Sequence, residues 1–190
     1  LVNATVLPFD FSGFYKTVNG YVNEVTTLTD NMRETTEIEN QMITENRYKL
    51  ASDPTLTFVQ PVAKESVPYL NFSTLLNAVS QLEKSSNTYS ELVKLNPNPN
   101  TNLEKLNKLL YTAEQSLIIE EGLPRRPWFK HSIYAPGYYT GYGVKTLPGI
   151  REAIEERNWK EAQQQIEIVA SKVMNYSKQV DAAAAILKMR

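Results

Sequence analysis

Apolar residues recur at alternating steps of three and four along most of this chain, a spacing that predicts long amphipathic helices. Phe14, Val18, Tyr21, Val25, Leu28 and Met32 form the first seam, and Phe11, Tyr15, Val18 and Val22 widen the same face. Asp10 stands as the N-cap, after an apolar lead-in from Leu1 that Pro8 interrupts. This helix is expected to run on through Ile38, Met42, Ile43 and Tyr48. It should stop at Asp53-Pro54, because the residue before a proline disfavours helical backbone. Residues 54–70 hold three prolines and no period, so they are expected to form a surface connection. Asn71 can cap a second helix with Leu75, Val79, Leu82, Ser86, Tyr89 and Val93 on one face. The Asn-Pro-Asn-Pro-Asn run from Asn96 to Asn100 breaks it.

Thr101 with Glu104 makes a capping box for a third helix, whose stripe is Leu103, Leu106, Leu110, Ala113 and Leu117. Gly122-Leu-Pro124 ends it. Pro148 opens a short helix to about Arg157. Asn158 and Glu161 cap the fourth long helix, where Trp159, Ala162, Ile166, Val169, Val173, Tyr176, Val180, Ala183 and Leu187 keep the period throughout. No segment reads as a strand. The expected fold is all-α, a four-helix up-down bundle with a long irregular crossover loop before the last helices. Ile118-Ile119 and Ile186-Leu187 flank the seams; they complete the monomer core or pack on another copy.

Gly122 to Arg151 departs from the helical pattern. It holds five of the seven glycines, four of the ten prolines, four of the eleven tyrosines and the only histidine, His131. A loop this long in a domain of this size is usually functional or disordered. Its aromatic content, with Trp128 and Phe129 beside the tyrosines, favours order. Arg125, Arg126, Lys130, Lys145 and Arg151 lie in it with no acid. They read either as solvated charge or as a site for an anionic group helped by tyrosine hydroxyls.

The remaining chemistry is sparse. With 190 residues the chain suits one domain with a real core. A net charge of −1 gives no overall field toward nucleic acid, and no nucleic-acid partner is expected. No cysteine and one histidine leave no zinc ligand set, since zinc favours nitrogen and sulfur donors. No catalytic triad, phosphate loop or dinucleotide fingerprint stands out. The adjacent pairs Glu120-Glu121 and Glu155-Glu156 read as solvated faces, because neighbours in a helix point apart. Catalytic residues: none. Metal ligands: none.

The loop GLPRRPWFKHSIYAPGYYTGYGVKTLPGI resembles the C-terminal segment of the glutamate carboxypeptidase II family, and LVNATVLPFDF resembles that family's entry to the same domain. The resemblance identifies residues 1–190 as a transferrin receptor-like dimerisation domain, cut from a larger M28-type peptidase. It implies a parent with a protease domain carrying two zinc ions and an apical domain, both upstream of Leu1. It implies a homodimer made through the helices, and a loop that reaches the substrate cleft. Glutamate-specific members bind the substrate's terminal carboxylate with a Lys-Tyr pair; here the tyrosine falls at Tyr142 and the lysine position at Gly141. The function implied is non-catalytic homodimerisation within a zinc-dependent carboxypeptidase or dipeptidase, the chain alone not being an enzyme. The alternative is a binding module of an inactive, transferrin receptor-like parent, for which the missing lysine speaks. An extracytoplasmic location follows from the resemblance alone.

Overall fold

The three cleanest seams form the three longest helices. The computed structural model describes residues 5–96, 102–141 and 143–188. In order they form α1 (Phe11–Thr44), α2 (Arg47–Leu50), α3 (Ser73–Leu95), α4 (Leu103–Tyr111), β1 (Tyr134–Pro136), β2 (Val144–Thr146), α5 (Pro148–Glu155) and α6 (Trp159–Lys188). The chain is mostly helical, with a small two-stranded hairpin. The expectation of an all-α fold without strands is corrected by that hairpin.

Helix α6 is the element the others share. Its 30 residues span about 45 Å. The face built on Ile166, Val169, Val173, Val180 and Leu187 is buried. Helix α3 packs most extensively along it, through Leu75, Val79, Leu82 and Tyr89. Helices α4 and α5 also lie on α6, while α1 lies on α3. Each fully buried leucine or valine is worth about 1.5–3 kcal/mol. Packing of these seams, more than helix propensity, therefore holds the elements. Ile119, Ile186 and Leu187 are buried within the chain, and so belong to its own core.

The caps explain the helix starts. Asp10 is extended and its carboxylate accepts the Ser12 N–H at 2.9 Å. Asn71 Oδ1 accepts the Ser73 N–H at 3.0 Å. Asn158 Oδ1 accepts the Glu161 N–H at 3.3 Å, and its amide donates to Glu161 Oε2 at 3.2 Å. Asn102 caps α4, accepting the Lys105 N–H at 2.9 Å. Thr101 and residues 97–100, where the sequence placed a cap and a break, lie outside the described residues.

Two helices end earlier than their apolar period. Helix α1 stops at Thr44, and the short α2 follows after Asn46 takes a left-handed conformation at φ 52°. Helix α4 stops at Tyr111, and a 3-10 turn over Ala113–Leu117 carries the stripe on. Gln179 of α6 donates to the Leu109 carbonyl at 2.9 Å and to Thr112 Oγ1 at 2.8 Å. With Leu109 O engaged by a side chain, the backbone tightens to shorter-range bonds.

The connection after α2 returns along α1 and is tied to it by polar side chains. Asn40 exchanges two bonds with the backbone of Lys64, at 2.8 and 2.9 Å. Arg33 donates to the carbonyls of Val67 and Pro68. Arg157, at the end of α5, reaches Glu65 O and Thr36 Oγ1.

Candidate functional site

The irregular stretch between the 3-10 turn and α5 folds on a small core of its own. Ile119, Leu123 and Ala135 are buried together, with Phe129 and Ile168 of α6 packed against them. Backbone bonds fold the segment back on itself: Ile119 N–H to Lys130 O and Leu123 N–H to Phe129 O, both at 2.8 Å. Gly122 sits at φ +76°, and a Cβ there would lie 2.2 Å from the Pro127 carbonyl oxygen. Only glycine accepts both constraints. Pro124 and Arg125 then form a tight turn, closed by the Arg126 N–H on Leu123 O at 3.1 Å, with Arg125 at φ 63°.

Strands β1 and β2 pair antiparallel, Ala135 opposite Lys145. The hairpin is short because Pro136 ends β1 and lacks a backbone donor. Leu147 anchors its base. That residue is fully buried, takes φ 46°, and donates its N–H to Ile133 O at 2.7 Å. The far end, residues 137–143, carries exposed Tyr139, and exposed Val144 adjoins it. Trp128 is exposed on the preceding turn.

The loop's cations are neither free nor merely solvated. Each of the five meets a carboxylate from another segment. Arg126 binds Glu152 of α5 through both carboxylate oxygens, at 2.8 and 2.7 Å. Arg125 reaches Glu161 at 3.0 Å and Glu156 at 3.1 Å. Lys145 binds Glu155 at 2.6 Å. Arg151 meets Glu24 of α1 and Thr146 Oγ1. Lys130 lies 3.3 Å from Glu120. The reading of Glu155-Glu156 as a solvated face is thereby corrected: both hold the loop. So is the reading of the five cations as an open anion site.

These pairs differ in weight. Exposed ion pairs contribute about 0–1 kcal/mol each. The Arg126–Glu152 pair is of another kind, with side chains 3% and 5% exposed. Arg126 Nη1 also donates to the Pro136 carbonyl, and Glu152 Oε1 accepts the Tyr138 N–H at 2.8 Å. The guanidinium lies 5.8 Å from both the Phe129 and the Tyr138 ring centroids, within cation–π range. One buried pair thus joins the turn, the end of β1 at Pro136, Tyr138 just beyond it, and α5. Desolvating two charges is costly unless their hydrogen bonds are met; the hairpin backbone engages Arg126 Nη1 and Glu152 Oε1, while the buried Arg126 Nε has no hydrogen-bond partner among the described residues.

His131 is a structural link. Its Nδ1 accepts the N–H groups of Ile133 and Tyr134 at 3.2 and 3.4 Å, and its ring stacks on Tyr134 at 4.1 Å. Nε2 faces Glu114 Oε1 at 3.4 Å, the same oxygen that accepts the Tyr134 hydroxyl at 2.6 Å. Burial lowers the His131 pKa from its ordinary 6.5, against the opposing pull of Glu114. The Glu114 hydrogen bond raises that of Tyr134.

Tyr142, the substrate-binding residue expected from the sequence, lies outside the described residues. Its neighbour Gly141 takes φ +60°, in a segment that Gly137 and Gly143 close by a 2.8 Å backbone bond. Lys145 points to Glu155. Sequence reasoning found the loop and its cations but missed their carboxylates, which come from α1, from α5 and the residue after it, from α6 and, for Lys130, from Glu120 of the irregular stretch itself. Among the described residues no three His, Asp or Glu side chains converge to hold a metal ion.

The family model described as the transferrin receptor-like dimerisation domain matches residues 70–181. A probable glutamate carboxypeptidase of Arabidopsis thaliana is 31% identical over 119 residues, 63% of this chain and 17% of that protein. A probable glutamate carboxypeptidase of Arthroderma benhamiae is 31% identical over 110 residues, 56% of this chain and 15% of that protein. The chain thus spans less than a fifth of the length of the relatives it matches.

Proposed function

The chain belongs to the transferrin receptor-like dimerisation domain family, and on that premise we propose that it is the non-catalytic homodimerisation domain of a zinc-dependent carboxypeptidase or dipeptidase. In this reading residues 1–190 are one domain of a longer protein. Its helices pack as an up-down bundle, α4 and the 3-10 turn together serving as the third member. The protease and apical domains lie in the parent chain, and the two zinc ions sit in the protease domain. The domain faces an extracytoplasmic compartment. The similarity to probable glutamate carboxypeptidases supports the choice of reaction.

The hairpin loop would contribute to the substrate cleft of the parent. One observation carries this part: the buried Arg126–Glu152 pair holds the hairpin where β1 passes into the far end, at Pro136 and Tyr138, while Tyr139 beyond them stays exposed. A loop that served only to connect α4 and α5 would not require a desolvated ion pair. Tyr142 is assigned by the resemblance to the substrate's terminal carboxylate, where a hydroxyl supplies a charge-assisted hydrogen bond. In the parent enzyme, Tyr142→Phe is expected to raise KM for peptide about tenfold and to change kcat much less. Unchanged kinetics would remove Tyr142 from the cleft.

Gly141 favours a second reading, a binding module of an inactive receptor-like parent, since it leaves the tyrosine without a lysine beside it. Zinc-dependent peptide hydrolysis by the parent chain separates the two: activity supports the peptidase, and its loss on chelation ties it to the metal. A parent that binds no zinc would support the receptor.

A further inference from the structure

Arg157 differs from the other described arginines. Arg33, Arg47, Arg125, Arg126 and Arg151 each meet an aspartate or glutamate. Arg157 meets none among the described residues. Its Nη1 donates to the Glu65 carbonyl at 2.9 Å and its Nη2 to Thr36 Oγ1 at 2.6 Å, while its guanidinium lies 5.9 Å from the Trp159 ring. Two neutral acceptors and a ring leave N–H donors and a full positive charge without a counter-charge. The backbone at Arg157 is left-handed, at φ 57°, because it caps the end of α5: its N–H reaches Ile154 O at 3.0 Å and the Asn158 N–H reaches Ala153 O at 2.8 Å.

The guanidinium lines a pocket of ≈ 380 Å³ between α1, the returning connection and the end of α5. Its other walls are of two kinds. Leu28 and Met32 are apolar; Asn31, Thr35, Thr36 and Lys64 bring an amide, hydroxyls and a second cation. Lys64 is already paired with Glu39 at 2.6 Å, so its charge is partly answered. No carboxylate lines the pocket.

We propose that this pocket binds a small organic acid, its carboxylate on Arg157 and its short apolar tail along Leu28 and Met32. A guanidinium presents paired donors that match a carboxylate's two oxygens. Lys64 adds attraction at the rim, and Thr35 supplies a further hydroxyl. The apolar wall selects against inorganic anions, which have no surface to bury there. The pocket lies on α1 and the connection, and so is separate from the hairpin and from its assigned role.

The test is a titration of the 190-residue chain, with 15N-labelled arginine, by sodium hexanoate. The readout is the Nε–H resonance of Arg157, identified by its loss in Arg157→Lys. A saturable shift of that resonance is expected, with the other arginine resonances unmoved. Hexanol should not reproduce it. Lys64→Met, which leaves the Arg157 bonds in place, should weaken the binding about fivefold. A shift that grows linearly without saturating, that all arginines share, or that hexanol also produces would overturn the proposal. Equal binding of inorganic phosphate would overturn the assignment to an organic acid.

Discussion

At the scale of single residues, two positions govern the hairpin. Glu152→Gln leaves Arg126 as a buried charge without its counter-charge, and the loss is expected to be about 3–5 kcal/mol. Lys145→Gln removes a more exposed pair and should cost less than about 1 kcal/mol. Urea unfolding of both variants measures the contrast; equal losses would mean that the buried pair does not hold the loop. His131 adds a pH dependence. Its pKa is lowered in the fold, so the unfolded chain takes up the proton first. Its contribution to stability is complete above about pH 6.5 and is lost as pH falls below that toward the folded value. Protonated Nδ1 would also face the Ile133 and Tyr134 N–H groups as a donor. Glu114 opposes the effect by attracting the proton, and Tyr134, on which the ring stacks, is the other titratable group beside it. Melting temperatures of the wild type and of His131→Gln between pH 7.5 and 5.5 should therefore diverge, the wild type falling more steeply. Parallel curves would contradict this account of the histidine.

At the scale of elements, the seams of α3 and α6 were readable because each buries one continuous face, whereas α1 buries Phe11, Val18, Val22, Val25 and Thr29 and leaves Phe14, Tyr21, Leu28 and Met32 of the expected seam only partly buried beside them. The third seam was readable too, since Leu106, Leu110, Ala113 and Leu117 are all buried. Its backbone was not, because the tightening depends on Gln179, about seventy residues away. The hairpin left no sequence signal: three-residue strands give no alternation, and one of them contains Pro136. The same limit applied to the site. Basic residues in a loop can be counted, but which glutamates face them depends on how α1, α5 and α6 are placed. The expectation that Gly122 ends the third helix is corrected: α4 stops at Tyr111 and the 3-10 turn at Leu117, and Gly122 serves instead as the contact point with Pro127. Gly122→Ala should destabilise by about 1–3 kcal/mol in thermal unfolding, through strain and collision together. Helix α1 offers a further check, since no residue after Thr36 is buried. Amide exchange in residues 38–44 should be faster than in residues 18–29; equal protection would mean that the far end of α1 is covered by contacts absent from this description.

At the scale of the whole molecule, family membership and the arrangement of charge point the same way. A domain whose helices carry the association and whose loop reaches elsewhere needs the loop held firmly. Arg126 and Glu152 do this from inside, at Pro136 and Tyr138, while five more exposed pairs surround it. The chain covers only a small part of its relatives, so the proposed chemistry belongs to a larger protein. The proposed association belongs to this chain, and it is the central claim. Light scattering on the purified 190-residue chain, across a wide range of concentration, tests it most directly. The account predicts a molar mass near twice 21.6 kDa that persists on dilution. A mass of one chain at every concentration would contradict it.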